Sequence, residues 1–273
     1  MTSQPQDYLL AGGAAELERL TVQARALEPE AERMLDAISI APGSSCVDLG
    51  CGAMGILEPL SRRVGAEGHV TGVDTDTKQL AAARKMVEER GLHNVEIMER
   101  DAYNTGLPDA SFDFTHVRFV FAPVGRDDQL VAEMLRLTKP GGIIAIQEPD
   151  AAPWSCYPEH ESWKTLRDAI VDAFRKGGGD FNVGRRTYKM LRDAGLEDVK
   201  IRAAALALQD QHPYMRSPLQ FAVSLRQRIL DGGTLSEADL DRLVADCEKI
   251  ISDPGTVVMS FIVTQVWGRT LSV

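Results

Sequence analysis

The chain has 273 residues, of which 44% are apolar and 26% charged, an ordinary globular composition and a length that suits one large α/β domain with attachments. Forty acids against 30 bases leave a formal net charge of −10. That balance disfavours nucleic acid or an anionic membrane as a partner, because neither finds a basic surface to meet. No apolar run approaches the roughly 18–20 residues of a membrane helix, and MTSQPQDYLLAGG lacks the basic start and apolar core of a secretory signal. The four cysteines, Cys46, Cys51, Cys156 and Cys247, form no C-x-x-C pair. They read as reduced thiols of a cytoplasmic protein, not as a zinc site or a disulfide framework.

In chain order, Leu17, Leu20, Ala24, Leu27, Ala31, Met34 and Leu35 recur at helical spacing, and Pro29 divides the stretch into two predicted helices. The turn APGSS introduces a first strand, CVDLG, and a helix follows over 56–64. A glycine-marked turn leads to a second strand ending at Asp74. Residues 78–90 form a helix closed by Gly91, and NVEIMERDA alternates as a third strand. SFDFTHVRFVF is a fourth strand, 128–137 a helix ended by KPGG, and IIAIQEP a fifth strand whose unbroken apolar run marks burial on both faces. YKMLRDAGLEDVKIRAAAL then reads as a helix, a Gly195 cap and a sixth strand. Residues 217–251 are mostly helical, with Ser236 and Asp239 as a capping pair. GTVVMSFIVTQVWGR is too β-branched for a helix and reads as one final strand. Strands alternating with helices predict a parallel sheet with right-handed crossovers.

The chemistry concentrates in VDLGCGAMGILEPLSRR. In an open parallel sheet a ligand sits at the carboxyl ends of the strands, and Gly50 and Gly52 let the backbone approach it where a Cβ would collide. Asp74 is placed to accept hydrogen bonds from both hydroxyls of a ribose diol. The alternative, for Asp74 as for Asp76, is capping of the next helix. Gly50, Gly52 and Gly55 satisfy the G-x-G-x-x-G of dinucleotide sites, while Asp48-x-Gly50-x-Gly52 opens the pattern of S-adenosylmethionine sites. The ribose acid is common to both.

VDLGCG, VTGVDTDTKQLAAAR, MERDAYNTGLPDASFDFTHVRFVF, and MLRLTKPGG followed by a strand separate the two. In order and spacing they resemble the class I S-adenosylmethionine-dependent methyltransferases, especially the small-molecule enzymes of the ubiquinone/menaquinone-biosynthesis group. The likeness spans 47–147 and, more loosely, 188–203. It departs at Met54, where the family carries a third glycine; here the glycine comes one residue later, and Gly55 is expected to allow close helix–strand packing. The resemblance implies an α/β fold: a Rossmann-like, seven-stranded, mostly parallel sheet with helices on both faces. Residues 1–40 would be an N-terminal helical lid and 41–205 the cofactor-binding core, with an acceptor-covering insertion at about 151–185. A helical lid insertion would follow over 206–254, then the final core strand over 255–273.

The same resemblance implies S-adenosyl-L-methionine as cofactor, with S-adenosyl-L-homocysteine as product. Asp48 would order the loop or hold the methionine amino group, and the backbone at Gly50, Cys51 and Gly52 would pass the amino-acid end. Asp74 with Thr75 would meet the ribose, and Asp101 with Ala102 the adenine edge. His116, Val117 and Arg118 would lie near the sulfonium and the acceptor, with a hydrogen-bonded packing role the equal alternative for His116. A buried guanidinium at Arg118 needs a partner: the cofactor carboxylate, an acid on the acceptor, Asp48 or Glu148. Tyr8 and the AGGAAELERL that follows resemble the lid that closes over the cofactor.

Methyl transfer is an in-line displacement at a carbon activated by the sulfonium, so alignment and exclusion of water come first, and a base is needed only where the acceptor must lose a proton. The Asn/Asp-Pro-Pro-Tyr motif of nucleic-acid and protein-amide methyltransferases is absent from THVRFVFAP, and the scattered cysteines do not suit a soft metalloid. A small organic acceptor remains, with O-methylation the first expectation and C- or N-methylation next, in secondary-metabolite or quinone-like biosynthesis. Met54 would lie near it or the cofactor, and Trp154, Tyr157 and Trp163 would either wall its pocket or pack an added helix. His160 and His212 are the candidate bases. No metal is expected, and a homodimer is left open. Two other readings stand beside this one: a non-catalytic S-adenosylmethionine-binding sensor or scaffold, and a nicotinamide-dependent oxidoreductase.

Overall fold

A computed structural model describes residue 10 and residues 13–272. In chain order the elements are α1 (Gly13–Ile38), β1 (Ser45–Leu49), α2 (Leu57–Val64), β2 (His69–Asp74), α3 (Thr77–Glu89), β3 (Val95–Glu99), β4 (Phe112–Arg118), α4 (Phe121–Val124), α5 (Asp127–Leu137) and β5 (Thr138–Asp150). Then come β6 (Ser155–Tyr157), α6 (Glu161–Lys176), α7 (Gly184–Asp193), β7 (Glu197–Ala204), β8 (Ala207–Leu208), α8 (Ser217–Ser224), α9 (Arg226–Asp231), α10 (Glu237–Ser252), β9 (Val257–Met259) and β10 (Ile262–Arg269). Seven strands form one sheet in the order β3-β2-β1-β4-β5-β10-β7. The first five are parallel, and β10 runs antiparallel to both β5 and β7. The order reverses between β1 and β4, so a crevice opens at their carboxyl ends. The fold is the Rossmann-like one expected from the alternation of strands and helices.

Successive side chains of β1 serve opposite faces: Cys46 packs with Met34, Leu57 and Leu60, while Val47 and Leu49 join Val117, Phe121 and Ile146. Asp76 caps α3 by accepting from the amides of Lys78 and Gln79, and Ser236 with Asp239 forms a capping box at α10. Two expectations need correction. Pro29 does not divide the first helix; α1 runs unbroken through it. Leu27 is anchored in one core, Ala31, Met34 and Leu35 in the other, and Gln265 Nε2 donates to the Glu30 carbonyl at 3.0 Å. These contacts offset the one backbone bond that proline removes.

The final apolar stretch is also two strands, not one. β9 pairs with β6 and β8 in a separate three-stranded sheet, and β10 enters the main sheet. At the corner, Ser260 donates its amide to the Leu206 carbonyl and its hydroxyl oxygen accepts from the Leu206 amide, both at 2.9 Å. Phe261 turns into an aromatic cap over the sheet. Trp154 stacks on Phe181 with centroids 5.5 Å apart, and Phe221 and Phe261 meet it edge-on at 5.9 and 5.6 Å. Because Trp154 joins segments from both sides of β10, Trp154→Ala should cost about 3–5 kcal/mol in urea unfolding; a loss under about 1 kcal/mol would show that the cap does not help hold the fold.

Candidate functional site

The glycine loop is shaped from below by Asp48, which is fully buried at the end of β1. Its Oδ2 accepts from the Ile56 amide at 3.1 Å, and its Oδ1 lies 2.7 Å from His116 Nδ1. A Cβ on Gly55 would stand 2.3 Å from Asp48 Oδ2, and the residue holds φ at +47°. The shifted glycine therefore makes room for a β1 carboxylate at the start of α2 and for a left-handed turn. At Gly50, φ +69°, a Cβ would meet Val120 Cγ2 at 2.5 Å, so the loop and the end of β4 close on each other.

His116 is 0% exposed, and both of its ring nitrogens are engaged. Gln147 Nε2 donates to His116 Nε2 at 2.9 Å, and Gln265 Nε2 donates to Gln147 Oε1 at 2.8 Å. The donors along this chain require the proton on Nδ1, where it faces Asp48. His116 thus cannot reach a ligand, and of its two expected roles it has the hydrogen-bonded packing one, because strands on both sides of β4 claim its two nitrogens. Val117 is likewise buried in the core.

A cleft of about 240 Å³ lies over the loop. Its floor and sides include Asp48, Gly50, Cys51, Gly52, Met54, Asp74, Thr75, Asp101, Ala102 and Arg118. These expected residues do come together. Asp74 Oδ2 accepts from the Gly52 amide and Oδ1 from the Asp76 amide, each at 2.9 Å. Burial raises its pKa, and those amides counter the rise only in part. Asp101 Oδ1 accepts from the Tyr103 amide at 2.9 Å. Arg118 is half-buried and donates from Nη2 to the Gly55 carbonyl at 2.8 Å, a partner outside the four expected for it; burial lowers its pKa.

The other expected residues lie elsewhere. Trp154 and Trp163 are core residues of the cap, and Tyr157 is 72% exposed. His160 and His212 are exposed N-caps whose Nδ1 atoms accept from the amides of Ser162 and Tyr214, so neither candidate base reaches the cleft. Tyr8 lies outside the described residues.

Several walls were not foreseen. Gln79, Tyr103, Phe119, Val120 and Arg126 line the cleft, and Leu20, Gln23 and Ala24 of α1 roof it. The Arg126 guanidinium lies 3.8 Å over the Tyr103 ring, and the Tyr103 hydroxyl donates to the Gly125 carbonyl at 2.8 Å. Behind them Glu148, fully buried, accepts from the amides of Val120, Phe121 and Ala122 at 2.8, 2.9 and 3.1 Å. An acid ending the apolar strand IIAIQEP was the signal for it. Burial raises this carboxyl to about 8, outweighing the three amides.

Comparison with known proteins bears on what such a cleft holds. Residues 47–146 match a family described as a methyltransferase domain. A demethylmenaquinone methyltransferase of Listeria welshimeri is 34% identical over 172 residues, 62% of this chain and 69% of that protein. The chain belongs to the class I S-adenosylmethionine-dependent methyltransferases. A 37.1 kDa protein in transposon Tn4556 of Streptomyces fradiae is 32% identical over 166 residues, 59% of this chain but only 46% of that protein. This methyltransferase chain thus spans about half the length of some curated relatives. Among solved structures, the (4+2)-cyclase SpnF is 23% identical, with 89% of this chain and 82% of that one covered at a TM-score of 0.51; that likeness speaks for the fold alone.

S-adenosylmethionine is the cofactor of the family, and the methyltransferase cleft fits it. Asp74 lines the cleft as an acceptor beside the loop amides that hold it, which suits the hydroxyls of a ribose. Gly50 and Gly52 leave backbone where side chains would fill the floor.

Two measurements probe this framework. His116→Phe leaves Asp48 buried without its ring partner and should cost about 3–5 kcal/mol in denaturant unfolding; near-wild-type stability would remove the pair from the framework. The unfolded chain releases the Glu148 proton near 4.5, whereas the folded chain keeps it to about 8. That contribution to stability is full below about 4.5 and is lost as pH rises towards 8. Glu148→Gln should therefore flatten the fall in melting temperature between about pH 5 and 8; parallel profiles would contradict it.

Proposed function

We propose that this protein transfers a methyl group from S-adenosylmethionine to a small organic acceptor, with O-methylation the first reaction to test. The observation that carries the reading is the cleft itself, in which Asp74, Asp101 and the glycine loop converge at the carboxyl ends of β1–β3. In this reading Asp74 and Thr75 hold the ribose and Asp101 with Ala102 faces the adenine. The backbone of Gly50, Cys51 and Gly52 passes the amino-acid end. Met54 and Phe119 meet the acceptor. The similarity to a demethylmenaquinone methyltransferase supports a quinone-like or secondary-metabolite product.

When bound, the cofactor supplies a methyl carbon already activated by the sulfonium. The chain's own residues then have three tasks: to bind, to align and to exclude water. Asp74 anchors one end of the cleft while Arg118, Phe119 and Val120 shape the other. Leu20, Gln23 and Ala24 cover it from α1.

The reading is tested by calorimetric titration with S-adenosylhomocysteine beside NAD and NADP. Micromolar binding of the homocysteine compound alone is expected, and Asp74→Ala should weaken it by about 1.5–3 kcal/mol, the scale of hydrogen bonds to a charged group. Binding of a nicotinamide instead would overturn the reading, and an unchanged dissociation constant in the variant would take Asp74 out of the site.

A further inference from the structure

The roof of the cleft carries one polar side chain among the described residues. Of the α1 residues that line it, Leu20 and Ala24 are apolar and Gln23 is not. Gln23 is buried, and the way its amide points is decided by chemistry. Arg19 Nη1 donates to Gln23 Oε1 at 2.9 Å. A guanidinium has donors and no acceptor, so the Gln23 atom that meets it must be the oxygen, and the NH2 group turns the other way.

That group has open space before it. Among the described residues, four side-chain atoms are sealed from solvent without a hydrogen-bond partner: Trp154 Nε1, Trp163 Nε1, Tyr214 Oη and Gln220 Oε1. Gln23 Nε2 has no partner there either, yet it is not one of the sealed four. The space that Gln23 lines is the cleft, so its two N–H donors reach the cleft. A ligand that covers them must offer an acceptor, because an amide left unpaired on burial is costly.

Arg19 is itself held firmly. Both Glu16 oxygens accept from it, at 2.9 and 2.6 Å, and its guanidinium lies 4.6 Å from the centroid of the Phe221 ring. The Ser224 hydroxyl donates to Glu16 Oε2 at 3.3 Å. Phe221 and Ser224 belong to α8, so a buried ion pair fastens the roof to the cap, and removing one partner would strand a charge in the core. Gln23 is therefore aimed from behind, by groups that do not line the cleft.

Position and charge identify what it meets. Ala24, the next residue, also lines the neighbouring recess with Met54, Gly55 and Arg118, so α1 crosses the cleft on the side of the glycine loop. The amino-acid end of the cofactor passes that loop in the reading above, and it carries an ammonium and a carboxylate. Amide N–H groups repel the first and hydrogen-bond the second, more strongly than they bond a neutral oxygen.

We propose that Gln23 gives its side-chain amide to the carboxylate at the amino-acid end of S-adenosylmethionine, and that Arg19 is the residue that positions it. The proposal rests on the cofactor reading above. Gln23 makes the roof a selective part of the site: it rewards a nucleoside that carries an α-amino acid over one that does not.

The test is calorimetric titration of the full chain with S-adenosylhomocysteine and with 5′-methylthioadenosine, which keeps the nucleoside and the thioether but has no amino acid. The wild-type chain should bind the first more tightly. Gln23→Leu should weaken S-adenosylhomocysteine about tenfold and 5′-methylthioadenosine less than about twofold. Gln23→Glu keeps an oxygen for Arg19 but turns a second oxygen to the cleft, so it should weaken S-adenosylhomocysteine further and again spare the smaller ligand. Arg19→Lys keeps the charge beside Glu16 but loses the planar fork that reaches Gln23. It should lower the preference for S-adenosylhomocysteine in the wild-type background and not in Gln23→Leu, a dependence that general loosening of α1 would not produce. Equal weakening of both ligands by Gln23→Glu, unchanged S-adenosylhomocysteine affinity in Gln23→Leu, or the same Arg19→Lys effect in both backgrounds would each overturn the proposal and leave the cofactor reading intact. A wild-type chain that binds neither ligand would overturn both.

Discussion

The buried bond between Asp48 and His116 is the constraint on which the rest of this site depends. A carboxylate at the end of β1 cannot stay in the core without a partner, and the imidazole that serves it is itself held by Gln147 on β5, which is held by Gln265 on β10. Gln265 reaches on to the Glu30 carbonyl of α1, and Arg202 of β7 donates to Gln265 Oε1 at 2.6 Å. The relay crosses the sheet from the glycine loop to the roofing helix. Every donor finds an acceptor, so the relay admits one arrangement of side chains and rigidifies what it joins. The position of the loop is therefore set jointly by strands far apart in the chain.

A second buried acid performs the same service on the opposite wall. Glu148 gathers three successive amides at the start of α4, a helix of four residues too short to be stable by itself. Phe119 and Arg126 on either side take left-handed backbone, at φ 58° and 55°. Such residues cost free energy and persist only where surroundings over-determine them. The cleft wall from Arg118 to Arg126 is thus held by an acid it does not contain.

Much of this was legible in the sequence, and the limits have physical causes. Period-two alternation located the strands, and capping chemistry located α3 and α10, because both are local signals. The glycine loop and Asp74 were legible because strand ends are where a parallel sheet binds ligands. The roles of His116 and Glu148 were not, since each depends on which strands become neighbours. β-branching marked residues 255–269 as strand but carries no information on which sheet a strand joins, so the corner at Ser260 and Phe261 stayed hidden. Pro29 misled because its cost is local while the contacts that override it come from both cores.

The small sheet has a mechanical meaning. β6 leaves the core after β5, β8 leaves it after β7, and β9 leads back into β10. Ser155 and Ala207 both align with Met259, and Cys156 and Leu208 with Val258. Three excursions from the main sheet are therefore sewn together at a single seam, and moving any one of them strains the other two and the core strands that feed them. The helix α1 carries no such stitching: residues 39–44 are its one covalent tie to the sheet, and side chains supply the rest. The cap is thus stitched backbone to backbone, while the roof of the cleft is held by packing and side-chain bonds.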